Sequence, residues 1–418
     1  MPAAPRGAHR RAPPAPRKDH EGRIGIATTD IERRQIEQST GYTLPVIETE
    51  EGEVEELILN MGPQHPSTHG VLRLVLKLAG ERIVECVPVM GYLHRGLEKI
   101  FEWRTYHQGI RYADQADYVS NMLNEHAYAG AMEAIGDIDV PRRAEFIRVI
   151  VDEMSRCASH LVWLGTYGLD VGATTPILWC FRDREEILDM LEELCGSRMN
   201  FNYYRPGGVL YDFPPGWVSK LSRFLDRFEK DIEEDYVTIL DQNEIFLERT
   251  VGVGTIPSDV AKAFGVTGPM LRGSGVDWDL RRDRPYSIYP ELTSLKPVVY
   301  TEGDAYARYR VRLGEMRLAI ALLRECLDKL PGGPVRARLG HVWKCPKGEA
   351  YYTVEGAKGE VGIYMISDGR SPNPFRAKMR GPSFLNLQVL PWLLKDRLVA
   401  DAVAILGSID IVLGDVDR

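Results

Sequence analysis

The sequence predicts an α+β fold, a bundle of long helices flanked by small antiparallel sheets. Three observations carry this. Between residues 113 and 330 several segments repeat apolar residues at helical spacing over lengths that would cross a bundle. Residues 71–89 alternate apolar and polar positions about a short turn. After Pro331-Gly-Gly-Pro334 only short strand-like runs and a final apolar segment remain. The chain therefore divides into a tail (1–53), a β-hairpin region (54–100), a helical bundle (101–330) and a C-terminal α/β region (331–418).

Residues 1–20 (MPAAPRGAHRRAPPAPRKDH) lack the apolar core of a secretory signal, and their five prolines oppose the amphipathic helix of a transit peptide. With the charge run Glu48-Thr-Glu-Glu-Gly-Glu53 they read as a disordered tail. Glu55 to Met61 reads as a first strand. In Val71 to Leu78 the even positions Leu72, Leu74, Leu76 and Leu78 are apolar, with Arg73 and Lys77 between them. Ala79-Gly-Glu81 then turns the chain, and Arg82 to Val89 returns as a hairpin. Helical spacing follows in 113–136 (Met122, Leu123, Ala127, Ala131, Ile135) and in 142–165 (Phe146, Ile150, Met154, Cys157, Leu161, Leu164), the second with Pro141 at its start. Thr175-Pro176 opens a helix that runs to Gly196, and segments 215–240 and 305–330 complete the bundle. Residues 250–300, rich in Gly, Pro and Arg, read as an irregular loop covering one end of it. Tyr351–Val354, Val361–Ile366 and Phe375–Met379 read as short strands.

With 418 residues, 44% of them hydrophobic, the chain can bury a large core. Its net charge of −8 gives no electrostatic footprint for nucleic acid, and no run of roughly 18 apolar residues suggests a membrane span. The six cysteines (Cys86, Cys157, Cys180, Cys195, Cys326, Cys345) form no C-x-x-C pair and read as reduced, mostly buried thiols of a cytosolic compartment.

The stretch with the most chemistry is Asn60-Met-Gly-Pro-Gln-His-Pro-Ser-Thr-His-Gly70. Pro63 and Pro66 each fix a backbone torsion, and Gly62 and Gly70 permit positive φ, so the loop is stiff. His65 and His69 are the side chains that titrate nearest neutral pH, and on extended chain their even spacing puts them on one face. Residue types alone leave two readings open, a proline-rich connector with surface histidines or a loop that holds a proton donor in place. The charge-laced stretch Gly91-Tyr-Leu-His-Arg-Gly-Leu-Glu-Lys-Ile100 likewise reads as an ion-paired helix start or as part of a site.

The strings Gly62-Pro-Gln-His-Pro-Ser-Thr-His-Gly70, Leu93-His-Arg-Gly-Leu-Glu-Lys99, Ala158-Ser-His-Leu161 and Leu413-Gly-Asp-Val-Asp-Arg418 together resemble the quinone-site subunit (the 49 kDa-type or D-type subunit) of NADH-quinone oxidoreductase, respiratory complex I. The resemblance spans about residue 55 to the end. It implies a scaffold similar to the large subunit of nickel-iron hydrogenases without the metal ligands. Val412 and Asp415 stand at cysteine positions of the hydrogenase ending and Arg418 at its histidine, and valine offers a nickel-iron centre no ligand.

What the resemblance implies about function is specific. His69 and Tyr118 face the two carbonyl oxygens of a quinone headgroup, with His65 nearby, and Asp170 in Gly168-Leu-Asp-Val-Gly172 pairs with His69. Without the resemblance, Tyr118 in Ala116-Asp-Tyr-Val-Ser120 reads as a residue at the start of a helix, and Asp170 as a loop cap. Quinone reduction takes two electrons and two protons, which a phenol and an imidazolium can supply at neutral pH. Loss of the histidine proton would free the carboxylate, which would serve as a trigger for proton pumping.

The chain shows no nucleotide fingerprint and no iron-sulfur ligands, so it binds no cofactor of its own. NAD(H), FMN and the clusters then belong to partner subunits. Arg95 matches a family arginine near the neighbouring cluster. Gln115 and Asn200 depart from the arginine and histidine that many relatives carry there. The partners implied are the iron-sulfur subunit beside the quinone pocket, the C-type subunit as a separate chain, and the membrane subunit that closes the quinone channel. The implied setting is peripheral, on the cytoplasmic side of the cell membrane. A relative fed by ferredoxin or a reduced deazaflavin is the alternative reading.

Overall fold

The computed structural model describes residues 56–339 and 344–418, so the expected tail lies outside the described residues. Three antiparallel strands open the fold: β1 (Glu56–Met61), β2 (Arg73–Ala79) and β3 (Arg82–Val89), in the order β1-β2-β3. The expected hairpin is thus the second half of a meander, because β1 also pairs with β2, from Glu56 opposite Ala79 to Met61 opposite Leu74. The alternation in β2 works as read: Leu74, Leu76 and Leu78 are buried.

Two short helices follow, α1 (Leu97–Trp103) and α2 (Tyr106–Ala113), the second opened by a capping box between Thr105 and Gln108. The long helices are α3 (Asn121–Gly136), α4 (Arg142–Asp170), α5 (Thr175–Cys195), α6 (Trp217–Asp231) and α7 (Ala305–Asp328). Helix α4, 29 residues and about 43 Å long, is the axis of the bundle, buried on most of its sides between α5 and α7. The C-terminal part adds a second antiparallel sheet, β4 (Gly348–Gly356), β5 (Gly359–Ser367) and β6 (Arg376–Arg380), which packs on α3. Helices α8 (Val399–Ile409) and α9 (Leu413–Asp417) end the chain.

Four sequence expectations need correction. The helix expected over 113–136 starts at Asn121, because residues 114–120 form a turn fastened by Asp117, and Tyr118 lies in that turn. The helix expected to end at Gly165 continues to Asp170, since this end is packed against α8 and Asp170 closes the helix instead of capping a loop. The segment expected as one helix over 215–240 is α6 followed by a π-turn at Ile232–Val237.

Residues 250–300, lastly, are more than a cover. They contain short helices at Ser258–Ala263, Pro269–Arg272 and Leu280–Asp283, and they send Arg272, Asp279 and Arg281 into the interior. There Arg272 donates to Glu355 at 2.8 Å and to Glu315. Arg281 donates to Asp279 at 2.7 Å and to Glu153 at 3.1 Å. Charges taken out of water need such partners, and these are supplied by α4, α7 and β4.

Two apolar cores result. The larger fills the bundle and the inner face of the second sheet. The smaller joins Leu74, Leu76 and Ile83 of the first sheet to Leu390, Leu394, Ile405, Leu406 and Leu413 of the C-terminal segment. The two ends of the described chain therefore meet, and the loop between β1 and β2 lies at their junction with α4 and α8.

Candidate functional site

The β1–β2 loop has a built shape. Gly62 sits at φ +89°, where a Cβ would lie 2.0 Å from the Leu72 carbonyl oxygen, so no other residue fits there without moving the strand. Pro66–Thr68 form one 3₁₀ turn capped by His65, whose Nδ1 accepts the Ser67 N–H at 3.2 Å. The buried Thr68 hydroxyl lies 2.8 Å from the His65 carbonyl and 2.9 Å from that of Gly70. Because the intervening residues are helical, the extended-chain face sharing expected of the two histidines does not hold. His65 is exposed and bonded within its own turn, whereas His69, at φ +53°, carries its side chain inward.

His69 Nε2 lies 2.5 Å from Asp170 Oδ2, with only 13% and 10% of the two side chains exposed. Asp170 is the last residue of α4, and α8 presses against it at Gly407, where a Cβ would come within 3.1 Å of Asp170 Oδ2. The Trp163 indole N–H fixes this approach by donating to the Gly407 carbonyl at 2.8 Å.

Tyr118 reaches the same neighbourhood from the other side. Its ring borders Gly414, whose Cβ would lie 3.4 Å from Tyr118 Cε1, while Gly70 borders Leu413 at 3.2 Å by the same measure. The histidine loop and the tyrosine turn thus flank one short segment, Leu413-Gly414. Tyr118 is 36% exposed, and burial raises its phenol above the ordinary value, with Asp117 adding to the rise and Lys358 opposing it. Asp117 shapes the turn by accepting the Val119 N–H at 3.1 Å and the Ser120 hydroxyl at 2.6 Å.

The C-terminal string fastens these parts together. The Asp417 carboxylate accepts the Gly91 and Leu93 N–H groups at 2.8 and 2.7 Å, and Arg418 donates to the Met379 carbonyl at 2.7 Å. Val412 and Asp415 are buried. Burial first, then the charge of Asp117, pushes the Asp415 carboxyl up to about 6, although the Ser383 N–H donates to it at 2.8 Å.

Arg95 and Gln115 are also brought together: the exposed guanidinium donates to the Gln115 side-chain oxygen at 2.8 Å and to its carbonyl at 3.2 Å. Asn200, at φ +57°, is held separately, accepting from the Asn121 amide at 3.3 Å. Next to Gln115 opens a cavity of about 490 Å³ lined by Arg104, His107, Arg111 and Arg205 among others.

Sequence reasoning misses Lys358 and Asp117. Lys358 sits in the β4–β5 turn Gly356-Ala-Lys-Gly359, which reads as a solvent turn, yet it is 1% exposed with its ammonium 3.1 Å from Asp117 Oδ2. Nothing in the turn itself signals this. Asp117 has a local signal, a hydroxyl three residues on at Ser120, the pattern of a side chain that caps its own turn.

Among the described residues no group of three or more His, Cys, Asp or Glu side chains is placed to hold a metal ion. All six cysteines are free and five are buried, with burial raising Cys86 to about 12 and the half-buried Cys195 to about 11. No described helix is long and apolar enough to cross a membrane.

The family model for the respiratory-chain NADH dehydrogenase 49 Kd subunit matches residues 170–343 and 338–418. The D-type subunit of NADH-quinone oxidoreductase from Clostridium beijerinckii is 48% identical over 364 residues, covering 87% of this chain and 98% of the relative. Its counterpart from Bacillus mycoides is equally similar, with 99% of its length covered, and that of Prosthecochloris aestuarii is 46% identical over 400 residues, 92% of this chain and all of the relative. With the family model covering residues 170 to 418 and 46–48% identity over nearly the full length of these relatives, the chain belongs to the family of 49 kDa-type (D-type) subunits of NADH-quinone oxidoreductase, respiratory complex I.

Proposed function

We propose that this protein forms the quinone headgroup pocket of a proton-translocating NADH-quinone oxidoreductase. The observation that carries the reading is that the loop bearing His69, which is backed by Asp170, and the turn bearing Tyr118 border the same short segment, Leu413-Gly414. A quinone needs one proton at each carbonyl oxygen as two electrons arrive. Tyr118, its phenol raised by burial, is neutral at pH 7 and donates one; His69 donates the other. Asp170 orients the imidazole through Nε2, and departure of the histidine proton breaks the pair and frees the carboxylate, which starts the conformational or electrostatic signal to the proton-pumping subunits.

On this reading the protein binds no redox group itself and works only in the assembled complex. NAD(H), FMN and the iron-sulfur clusters reside on partners. The paired Arg95 and Gln115, with Asn200 beyond, face the iron-sulfur subunit that delivers electrons. The remaining partners are the C-type subunit, as a separate chain, and the membrane subunit that completes the quinone channel. The complex places this chain on the cytoplasmic side of the cell membrane. The scaffold descends from one shared with nickel-iron hydrogenase large subunits, with Val412 and Asp415 at former ligand positions.

The test is NADH-driven quinone reduction in membranes carrying Tyr118→Phe, with assembly monitored by NADH-driven reduction of ferricyanide. A loss of about tenfold or more in quinone reduction at an unchanged ferricyanide rate is expected. Full quinone activity in the assembled variant would remove Tyr118 from the pocket.

A further inference from the structure

Lys358 is a buried cation where none is required to close a hairpin. The β4–β5 turn is pinned inside the protein: Arg156 donates to the Gly356 carbonyl at 3.0 Å and Asn386 to that of Lys358 at 3.0 Å. The ammonium donates to Ser159 Oγ of α4 at 2.8 Å and lies 3.1 Å from Asp117 Oδ2. Asp410, from the end of α8, and Asp415, from α9, are the other charges that act on it. Behind these, Arg312 approaches Asp410 at 3.7 Å and Arg418 acts on Asp415.

Taking an ammonium out of water costs several kcal/mol, and a hydrophobic residue would pack the same space at no such cost. Asp117 does not need a charge to hold its turn: an amide oxygen in place of Oδ1 accepts the Val119 and Ser120 N–H groups, and an amide NH2 in place of Oδ2 donates to the Ser120 hydroxyl. What the pair does control is the residue next to Asp117. When Tyr118 gives up its proton, a negative charge forms on the phenol oxygen beside the negative Asp117, an arrangement that a fixed cation makes tolerable.

We propose that Lys358 is a positioning residue for quinone reduction: held by Asp117 and Ser159, its ammonium offsets the charge that develops on Tyr118 as the phenol transfers its proton. The inference rests on the reading of Tyr118 as proton donor. In the step, the Tyr118 O–H bond breaks and an O–H bond forms at a quinone oxygen. The electrons come from the neighbouring subunit's iron-sulfur cluster, and the phenolate is reprotonated from water afterwards. The direction of the Lys358 effect on the phenol, opposite to that of Asp117, agrees with this role.

The experiment compares Lys358→Met, Lys358→Arg, Lys358→Met with Asp117→Asn, and Tyr118→Phe in the intact complex in membranes, with ferricyanide reduction as the assembly control. Lys358→Met is expected to lower kcat for quinone about tenfold with KM changed less than about twofold, and Lys358→Arg to keep most of the rate. Removing only the cation leaves the Asp117 carboxylate unopposed next to Tyr118 in the chain, so adding Asp117→Asn should relieve the loss. The double variant, lacking both charges, should recover at least about threefold over Lys358→Met. A parental kcat in Lys358→Met, or a loss that the double variant does not relieve, overturns the proposal. Should Lys358→Met not assemble, the double variant decides: a kcat within about fivefold of the parent is expected, and a loss of about tenfold or more overturns the proposal. If Tyr118→Phe is fully active, the donor reading itself has failed; if it is slow while the lysine variants match the parent, only the role of Lys358 has.

Discussion

The 2.5 Å contact between His69 Nε2 and Asp170 Oδ2 ties the β1–β2 loop to the end of the longest helix, across 101 positions of sequence. Removing the imidazole takes away both the hydrogen bond and the proton. His69→Ala should therefore slow quinone reduction about tenfold to a hundredfold in assembled complex. Asp170→Asn keeps an oxygen that can accept the His69 N–H and leaves the imidazole in place, so its loss should be smaller. Parallel NADH–quinone and NADH–ferricyanide assays rank the two, and a larger loss in Asp170→Asn would mean that the carboxylate acts on something other than His69.

Arg272 carries a different load, being bonded to Glu315 and Glu355 with all three side chains essentially removed from water. Arg272→Met fills similar space but takes the guanidinium from two buried carboxylates, leaving Glu315 with His160 at 2.8 Å and Glu355 with the Leu280 N–H at 3.1 Å. Breaking a buried pair of this kind costs about 3–5 kcal/mol, so the variant should accumulate as unassembled or degraded chain. Immunodetection of the protein in membranes against the soluble fraction measures this; parental levels would show that Glu355, whose carboxyl burial already raises, takes up a proton and absorbs the change.

Gly62 tests the loop without touching its chemistry. At φ +89°, with the Leu72 carbonyl oxygen where a side chain would begin, Gly62→Ala must displace either the loop or β2. Backbone strain of about 1–3 kcal/mol plus the steric clash should dislodge His69 from Asp170. Quinone reduction should fall by at least about tenfold while ferricyanide reduction persists, and a fully active Gly62→Ala complex would mean that the loop is redundant to the site.

The sequence makes the repeating parts of this molecule legible and hides the parts that depend on distant partners. Leu74, Leu76 and Leu78 announce β2 because one face of a strand is buried, and Pro176 announces a helix start because a proline fits the first turn, whereas Pro141 stands one residue ahead of α4 as its N-cap. Arg272, Asp279 and Arg281 look like solvent charges in a Gly- and Pro-rich tract until Glu153, Glu315 and Glu355 are seen around them. Gly168 and Gly172 suggest a loop about Asp170, but packing against α8 keeps the helix intact that far. At the site, the motif resemblance singles out His69, Tyr118 and Asp170, whereas Lys358 is invisible because a lysine between two turn glycines carries no local sign of burial.

Asp114 gives a prediction with a definite sign. Burial raises its carboxyl from 3.8 to about 7, outweighing the nearby Asn121 amide and Arg111, and Glu125 beside it is raised as well. Between about pH 4 and pH 7 the folded chain therefore holds a proton that the unfolded chain has released, so this group's contribution to stability falls as pH rises through that window. Above pH 7 the penalty is complete, a few kcal/mol at most by the scale of about 1.4 kcal/mol per pH unit. Asp114→Asn has no proton to lose. Its melting temperature should match that of the parent near pH 4, rise above it through pH 5 and 6, and exceed it by several degrees near pH 8, read by thermal denaturation of the purified chain. A difference that is flat with pH, or that favours the parent at pH 8, would place an ionised and well-stabilised carboxylate at Asp114, next to Gln115 in the chain and held by the Asn121 amide and the charge of Arg111.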